Sequence, residues 1–328
     1  MEHETRQSQS TTLISAIVCT YNRCEMLRET LRALKPQTLG GGLSLEILIV
    51  DNHSTDQTRA IVQEAAKESR WPIRYLFEPA QGLSHARNCG LRHAKGAYAA
   101  FTDDDTVPDE GWAGALARCF EETGADLIGG KVTALWCTPR PEWIRDDLLG
   151  PVIACDRGPT RARCMSRRDA FLGANFALRC SSAARYGAFD PALGRRGSSL
   201  IGGEDVGLFE RWLAAGASIV YEPTAIAQHK VTPERVTPEF YQRWFTDIGY
   251  TQGHQMGWKW HYQVSIVPLW RWGTLAHAGA RYAWTRLWPS TDAARLRAEL
   301  WWRFQRSFLQ ERLDHWRHQL PCRFAKAC

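Results

Sequence analysis

Along the first hundred residues, short apolar runs alternate with stretches of helical spacing. LISAIVCT (Leu13–Thr20) runs straight into the polar segment YNR, and LEILIV (Leu45–Val50) ends in Asp51-Asn52. Continuous apolar runs of this length predict strands covered on both faces. Between them Met26, Leu27, Leu31 and Leu34 recur three and four apart, which predicts a helix closed by Pro36. DQTRAIVQEAAKES predicts a second helix, capped by Ser54 or Thr55. Ile73–Glu78 follows as a third strand, LSHARNCGLRHA as a third helix and AYAAFTDDD as a fourth strand. Strands alternating with helices predict parallel βαβ units and an α/β fold.

In such sheets ligands bind beyond the carboxyl ends of the strands. Three polar clusters lie at those ends: Tyr21-Asn22-Arg23, Asp51-Asn52 and Asp103–Asp105. They are predicted to converge on one edge. Past residue 112 the rhythm loosens. WAGALARCFEETG reads as a helix, LIGGKVTALW as a strand, and residues 137–170 as a polar, Pro/Arg-rich excursion. FLGANFALRC then reads as a strand, GEDVGLFERWLAAG as a helix, and SIVYEPTAIAQH as a strand ending at His229. PERVTPE reads as a linker.

Each acidic group has two readings. Adjacent carboxylates repel, so Asp103-Asp104-Asp105 is either a solvated turn or a site for a hard cation such as Mg²⁺ or Mn²⁺. Strand alternation predicts that Asp103 and Asp105 share a face while Asp104 points away. Asp51 either belongs to the cap region of the next helix or accepts hydrogen bonds from a nucleobase or ribose. Glu204 and Asp205 either complement a helix dipole or supply a general base. His229 is a satisfied histidine, unless it lies beside the acids and serves as a ligand.

Composition changes the picture mainly at the C-terminal end. Of 15 tryptophans, ten follow residue 235, including Trp258, Trp260 and Trp316. Residues 236–328 carry 13 Lys/Arg against 6 Asp/Glu, while the chain as a whole has a net charge of +6. A basic, Trp-rich tail on a near-neutral body suits an anionic surface. Within it, residues 292–320 predict a helix with Leu296, Leu300, Phe304, Phe308, Leu313, Trp316 and Leu320 on one side. That helix either packs on the catalytic domain or lies in a lipid interface. No nucleic-acid recognition module is visible, so nucleic acid is not an expected partner. The ten cysteines show no CxxC pair and the N-terminus shows no apolar signal, which predicts reduced thiols and a cytoplasmic protein. No apolar run approaches the roughly 20 residues of a membrane span. The expected organisation is a disordered leader (1–11), a catalytic domain (12–235) and a basic helical region (236–328).

Taken in order, AIVCTYNR, ILIVDNHSTDQT, GLSHARNCGLRHAKGAYAAFTDDDTVPDEGW, FLGANFALRC and GGEDVGLFERWLAAG resemble the family 2 glycosyltransferases of GT-A fold. The resemblance spans roughly residues 12–235. It implies a mixed sheet flanked by helices, and inverting transfer of a sugar from a nucleotide-linked donor (UDP or GDP) to a hydroxyl acceptor. Asp51 matches the aspartate that holds the base, with Thr20, Tyr21 and Arg23 in the same pocket. Arg87 and Asn88 match positions facing ribose and diphosphate. Asp103 and Asp105 match the DxD that binds ribose and a divalent metal, Mn²⁺ or Mg²⁺, with Asp104 between them on the donor side and His229 as a further metal ligand. Asp205 matches the catalytic base, with Glu204 its neighbour, and Gly173 and Asn175 match the acceptor side. The implied acceptor is a glycan or lipid-linked sugar of cell-surface assembly, reached from the cytoplasmic face of the membrane. Processive synthases of the family carry QxxRW; here Phe240 stands where the glutamine belongs, before Arg243-Trp244, which favours transfer of a single sugar. The alternatives are a non-catalytic sugar-binding protein on this scaffold and a sugar nucleotidyltransferase, whose Gly-rich loop TYNRCEML lacks.

Overall fold

The structure, a computed structural model, describes residues 12–152, 155–171, 173–197, 201–255 and 269–324. The expected leader, Trp258 and Trp260 lie outside these residues. The chain divides into two compact units: the first holds the described residues of 1–135, 152–192 and 204–230, the second those of 136–151, 193–203 and 231–328.

In the first unit β1 (Thr12–Thr20), α1 (Cys24–Leu34), β2 (Leu43–Asp51), α2 (Thr58–Glu68), β3 (Ile73–Phe77), α3 (Leu83–His93) and β4 (Tyr98–Asp103) follow the predicted alternation. The apolar runs are explained by two-sided cover. On one face Ala16, Val18, Ile47 and Ile49 pack with Leu27 and Leu31 of α1 and Ile61 of α2. On the other, Ile17, Leu48 and Val50 pack with Ala86 and Cys89 of α3. One expected detail differs. Neither Ser54 nor Thr55 caps α2; Asp56 accepts from the Thr58 backbone N–H and hydroxyl instead, and Ser54 is occupied by the Asn22 N–H.

The remaining elements are β5 (Thr106–Pro108), α4 (Trp112–Thr123), β6 (Leu127–Trp136), β7 (Ala162–Arg163), β8 (Asn175–Arg179), α5 (Cys180–Tyr186), α6 (Glu204–Ala214) and β9 (Ile219–Val231). β9 thus runs two residues past His229. The sheet order is β3-β2-β1-β4-β8-β6-β9-β5, with β7 beside β9. β1 to β4 are mutually parallel, whereas β8 is antiparallel to β4 and β6. The sheet is therefore mixed.

The chain steps outward from β1 to β2 and β3, then returns to place β4 on the other side of β1. That reversal opens a crevice beyond the carboxyl ends of β1 and β4, where a ligand site is expected in such sheets. Thr20 and Asp103 stand at those two ends.

The second unit contains α7 (Pro238–Gln255), α8 (Leu269–Leu287) and α9 (Asp292–Phe324). PERVTPE is not an irregular linker: Pro233–Val236 form a 3-10 turn leading directly to α7. Leu300, Phe304 and Phe308 of α9 are buried, as are Tyr241 and Phe245 of α7. A Cβ on Gly253 would meet the Phe308 carbonyl oxygen at 2.7 Å, and one on Gly249 would strike that of Phe304, so glycines one turn apart let α7 and α9 approach. The apolar stripe at the start of residues 292–320 therefore lies in a protein interior and is not available to lipid. Trp316 and Leu320, assigned to the same stripe, lie outside the described side chains. Among the described residues no helix is long and apolar enough to cross a membrane.

Candidate active site

The chain turns sharply where β1 and β2 end. Asn22 (φ 51°) and His53 (φ 73°) both adopt the left-handed conformation, one a residue type that tolerates it. The Asn22 side-chain oxygen accepts from the Thr55 N–H at 2.7 Å and ties the two turns together. These turns hold Thr20, Arg23 and Asp51 around the crevice.

The three aspartates do not divide by strand alternation. β4 stops at Asp103, and Asp104-Asp105 form the turn into β5. Asp104 and Asp105 consequently converge: both accept from Arg23 Nη1, each at 3.1 Å. Asp104 also accepts from the Thr20 hydroxyl at 2.8 Å, across the β1–β4 switch. Asp103 faces elsewhere, 3.3 Å from Arg87 Nη2, and is the most open of the three. Burial pushes the Asp104 carboxyl up to about 6, against the pull of Arg23. The Arg23 guanidinium is held further above its usual range by Asp104 first, despite partial burial.

Arg87 organises the other half. It rises from α3 and is only 2% exposed, its guanidinium lying over the rings of Phe176 and Phe189 at 5.4 and 5.6 Å. Nη1 donates to Glu204 at 2.7 Å and Nη2 to the Gly173 carbonyl at 3.0 Å. Burial works against its charge, but Glu204, Asp103 and Asp205 outweigh burial and raise its pKa. Gly173 also donates its N–H to Asp205 Oδ2 at 2.6 Å. A Cβ at Gly173 would meet Arg87 Nη2 at 2.6 Å and Asp205 Oδ2 at 2.9 Å, so no larger residue fits between them. Glu204 is buried at the first position of α6, whereas Asp205 is half-exposed, its other oxygen accepting from the Val206 N–H.

His229 is fully buried, with Nε2 3.3 Å from Asp105 Oδ1, and neither ring nitrogen makes a hydrogen bond. Among the described residues no three His, Cys, Asp or Glu side chains gather tightly enough to cage a metal alone. Two protein ligands still fit a hard cation that takes its remaining oxygens from phosphate and water.

Two expected site residues are engaged elsewhere. The Asn88 amide both donates to and accepts from the Phe189 backbone, at 2.8 and 3.0 Å. Asn175 is fully buried: it accepts from Trp112 Nε1 and donates to the Lys131 and Ala225 carbonyls, all at 2.8 Å. Both amides fasten segments of the scaffold. Arg87, expected to face the diphosphate, is likewise enclosed by protein groups. Tyr21 follows Thr20, half-buried, at the mouth of the crevice. One contributor escaped the sequence reading. Tyr75 of β3 donates its hydroxyl to Asp51 Oδ2 at 2.7 Å, while Asp51 Oδ1 accepts from the Ser54 N–H. The available signal was parity, since Tyr75 lies two residues before the end of β3, beside the strand that carries Asp51.

This arrangement gathers acids from the end of β4, the turn after it and the start of α6, with His229 of β9, at the switch point of a mixed sheet. The description "Glycosyl transferase family 2" matches residues 15–169. The succinoglycan biosynthesis protein ExoM of Rhizobium meliloti (strain 1021) is 30% identical over 271 residues, 80% of each chain. The chain belongs to the family 2 glycosyltransferases and is a transferase enzyme. A Campylobacter jejuni GalNAc(5)-diNAcBac-PP-undecaprenol beta-1,3-glucosyltransferase is 32% identical over 111 residues, covering 33% of this chain and 34% of its own. The fold is also that of the mannosyltransferase PcManGT from Pyrobaculum calidifontis, solved with GDP-Man and Mn²⁺. Those two chains superpose with a TM-score of 0.57 at 19% identity, over 92% of this chain and 86% of the other.

Proposed function

We propose that residues 12–235 carry an inverting, metal-assisted transferase that moves one sugar from a UDP- or GDP-linked donor to a hydroxyl of a lipid-linked acceptor in cell-surface glycan assembly. The observation that carries this is the convergence of Asp103, Asp104, Asp105, Glu204 and Asp205 around Arg23 and Arg87, beside a buried histidine with both nitrogens unbonded. The succinoglycan biosynthesis protein supports the setting in glycan assembly, and the undecaprenol-linked glucosyltransferase supports the lipid-linked acceptor.

Asp51, held by Tyr75 and Ser54, accepts from the nucleotide's base, with Thr20 and Tyr21 alongside. Asp205 takes the proton of the acceptor hydroxyl as its oxygen bonds to the anomeric carbon. The bond from that carbon to the diphosphate breaks, and its electron pair leaves with the diphosphate. A single displacement of this kind inverts the anomeric centre. Glu204 and Arg87 keep Asp205 and Gly173 in place. Asp105 and His229, with Asp103 nearby, would hold a divalent cation, Mn²⁺ or Mg²⁺, whose positive charge would offset that of the diphosphate.

A thermal-shift panel of UDP- and GDP-sugars with and without Mn²⁺ tests the donor class. A ligand at a hundred times its Kd should stabilise the fold by about 2.7 kcal/mol. Absence of any Mn²⁺-dependent stabilisation across the panel would overturn the reading.

A further inference from the structure

The second unit places a row of large aromatic side chains on its surface. Trp270, Trp284 and Trp288 are 60%, 58% and 55% exposed. With His277 and Arg281, also exposed, they occupy positions 270, 277, 281, 284 and 288. Steps of seven, four, three and four residues keep all five on one stripe of a helix with 3.6 residues per turn. The stripe continues past the end of α8, because the Trp288 N–H donates to the Trp284 carbonyl and the two indoles stack at 4.4 Å. A neighbouring side of α8 is packed. Ala278 is buried, Leu275 packs on Phe308 and Leu309, and Arg271 lies 4.2 Å over the Phe308 ring. The Trp270/Trp284/Trp288 stripe, beside that packed side, is left in solvent.

The charge pattern says what covers that face. Between Asp247 and Asp292 the sequence contains no acidic residue, while Lys259, Arg271, Arg281 and Arg286 are present. A protein partner of ordinary surface is matched by interspersed charges of both signs, and a second copy of this face would bring arginine against arginine. Exposed indoles beside Arg281, on a stretch of chain without acids, instead match an anionic lipid interface. Indole rings settle at headgroup depth, and arginines pair with phosphates while their stems stay apolar. No described helix is long and apolar enough to span, so contact is made lying on the surface.

We infer that the Trp270/Trp284/Trp288 face of α8, with Arg281, docks the enzyme on anionic membrane. This rests on the lipid-linked acceptor of the proposed function and names the surface that brings the enzyme to it. It also moves the membrane contact from α9, where the leading apolar positions are buried, to α8.

The full chain is sedimented with vesicles of phosphatidylcholine alone and with added phosphatidylglycerol, at low and high salt. Binding is expected only to the anionic vesicles, and to weaken at high salt. Arg281→Glu should reduce it at least roughly fivefold, and Trp284→Ala/Trp288→Ala roughly tenfold or more, without lowering Tm. Equal binding by wild type and both variants, or none by wild type, would overturn the inference. So would light scattering that shows a dimer abolished by the same tryptophan variants, because a second copy would then cover the face. Donor-induced thermal shifts of the same variants separate the two claims. Shifts retained with docking lost support the surface and leave the transferase reading standing. Docking by wild type with no donor shift supports the surface and counts against that reading alone.

Discussion

The two ends of the same strands hold buried carboxylates in opposite circumstances. At the amino ends of β1 to β3, Glu46 is 5% exposed and fully served. It accepts from the Ser15 hydroxyl and the Lys95 N–H, both at 2.7 Å, and from Arg74 Nη1 at 3.0 Å. Ser15 in turn accepts from the Gly96 N–H, and Arg74 also donates to the His93 carbonyl. One acid, one base and a ring of fixed donors close a self-sufficient knot. At the carboxyl ends of β1 and β4, five carboxylates from two chain segments crowd two guanidiniums. The first arrangement closes on itself; in the second the carboxylates outnumber the guanidiniums that face them. Buried charge is costly wherever it stands.

The largest expected effect comes from removing the cation at the centre of the crowded end. Arg87→Met leaves Glu204 buried without its 2.7 Å partner and should cost about 3–5 kcal/mol. Thermal denaturation should register a fall of roughly 10 °C, and transfer should be lost. An unchanged Tm would mean that this end is no more interlocked than an ordinary surface. Asp205→Asn is the complementary break. The amide oxygen can still accept from Gly173, so folding and donor-induced thermal shift should persist while turnover drops about a thousandfold. Turnover within tenfold of wild type would remove Asp205 from the proton transfer.

The difference between the two ends also decides what could be read from the sequence. The four parallel strands were legible because two-sided burial writes itself as an uninterrupted apolar run. Asp51 and Asp103–Asp105 stood out because they close apolar runs, and Glu204-Asp205 because two acids open an amphipathic helix. The orientation of the aspartates was not legible, because alternation holds only while a strand lasts and β4 stops at Asp103. The scaffold bonds of Asn88 and Asn175 were hidden for another reason. An amide can serve a ligand or a backbone equally well, and only the approach of Phe189, Trp112 and Ala225 decides between them. The Glu46 knot joins residues 31, 49 and 28 positions from their partners, with no local pattern to announce it. In α9 the apolar spacing was correctly read, but period alone cannot distinguish a protein interior from a lipid interface.

Glu46→Gln tests the satisfied end. Burial favours the neutral acid, but the hydrogen bonds from Ser15, Lys95 N–H and Arg74 outweigh it and hold the pKa below the ordinary glutamate value. A depressed folded pKa contributes stability above the unfolded value of about 4.3, and that contribution is lost as pH falls through the lower folded value. The variant should therefore be less stable by roughly 1–3 kcal/mol at pH 7 and converge on wild type in acid. Denaturant titrations at several pH values check this, and turnover per folded molecule should not change. A stability gap that persists undiminished in acid, or a loss of turnover, would erase the contrast between the two ends.

The smallest effect is expected at Tyr75, where the two kinds of buried group meet. Its hydroxyl is pushed up to about 12, by burial first and then by the Asp51 carboxylate it serves, so it remains a donor throughout the working range. Tyr75→Phe removes that donor while Asp51 keeps the Ser54 N–H and its place at the end of β2. If Tyr75 aims a carboxylate whose task is to accept from the nucleotide, donor affinity should weaken about three- to tenfold with kcat little altered. If Asp51 were a closed structural acid like Glu46, the same change should lower Tm and leave donor KM untouched. Measuring KM, kcat and Tm on one preparation separates these outcomes and shows to which end of the sheet Asp51 belongs.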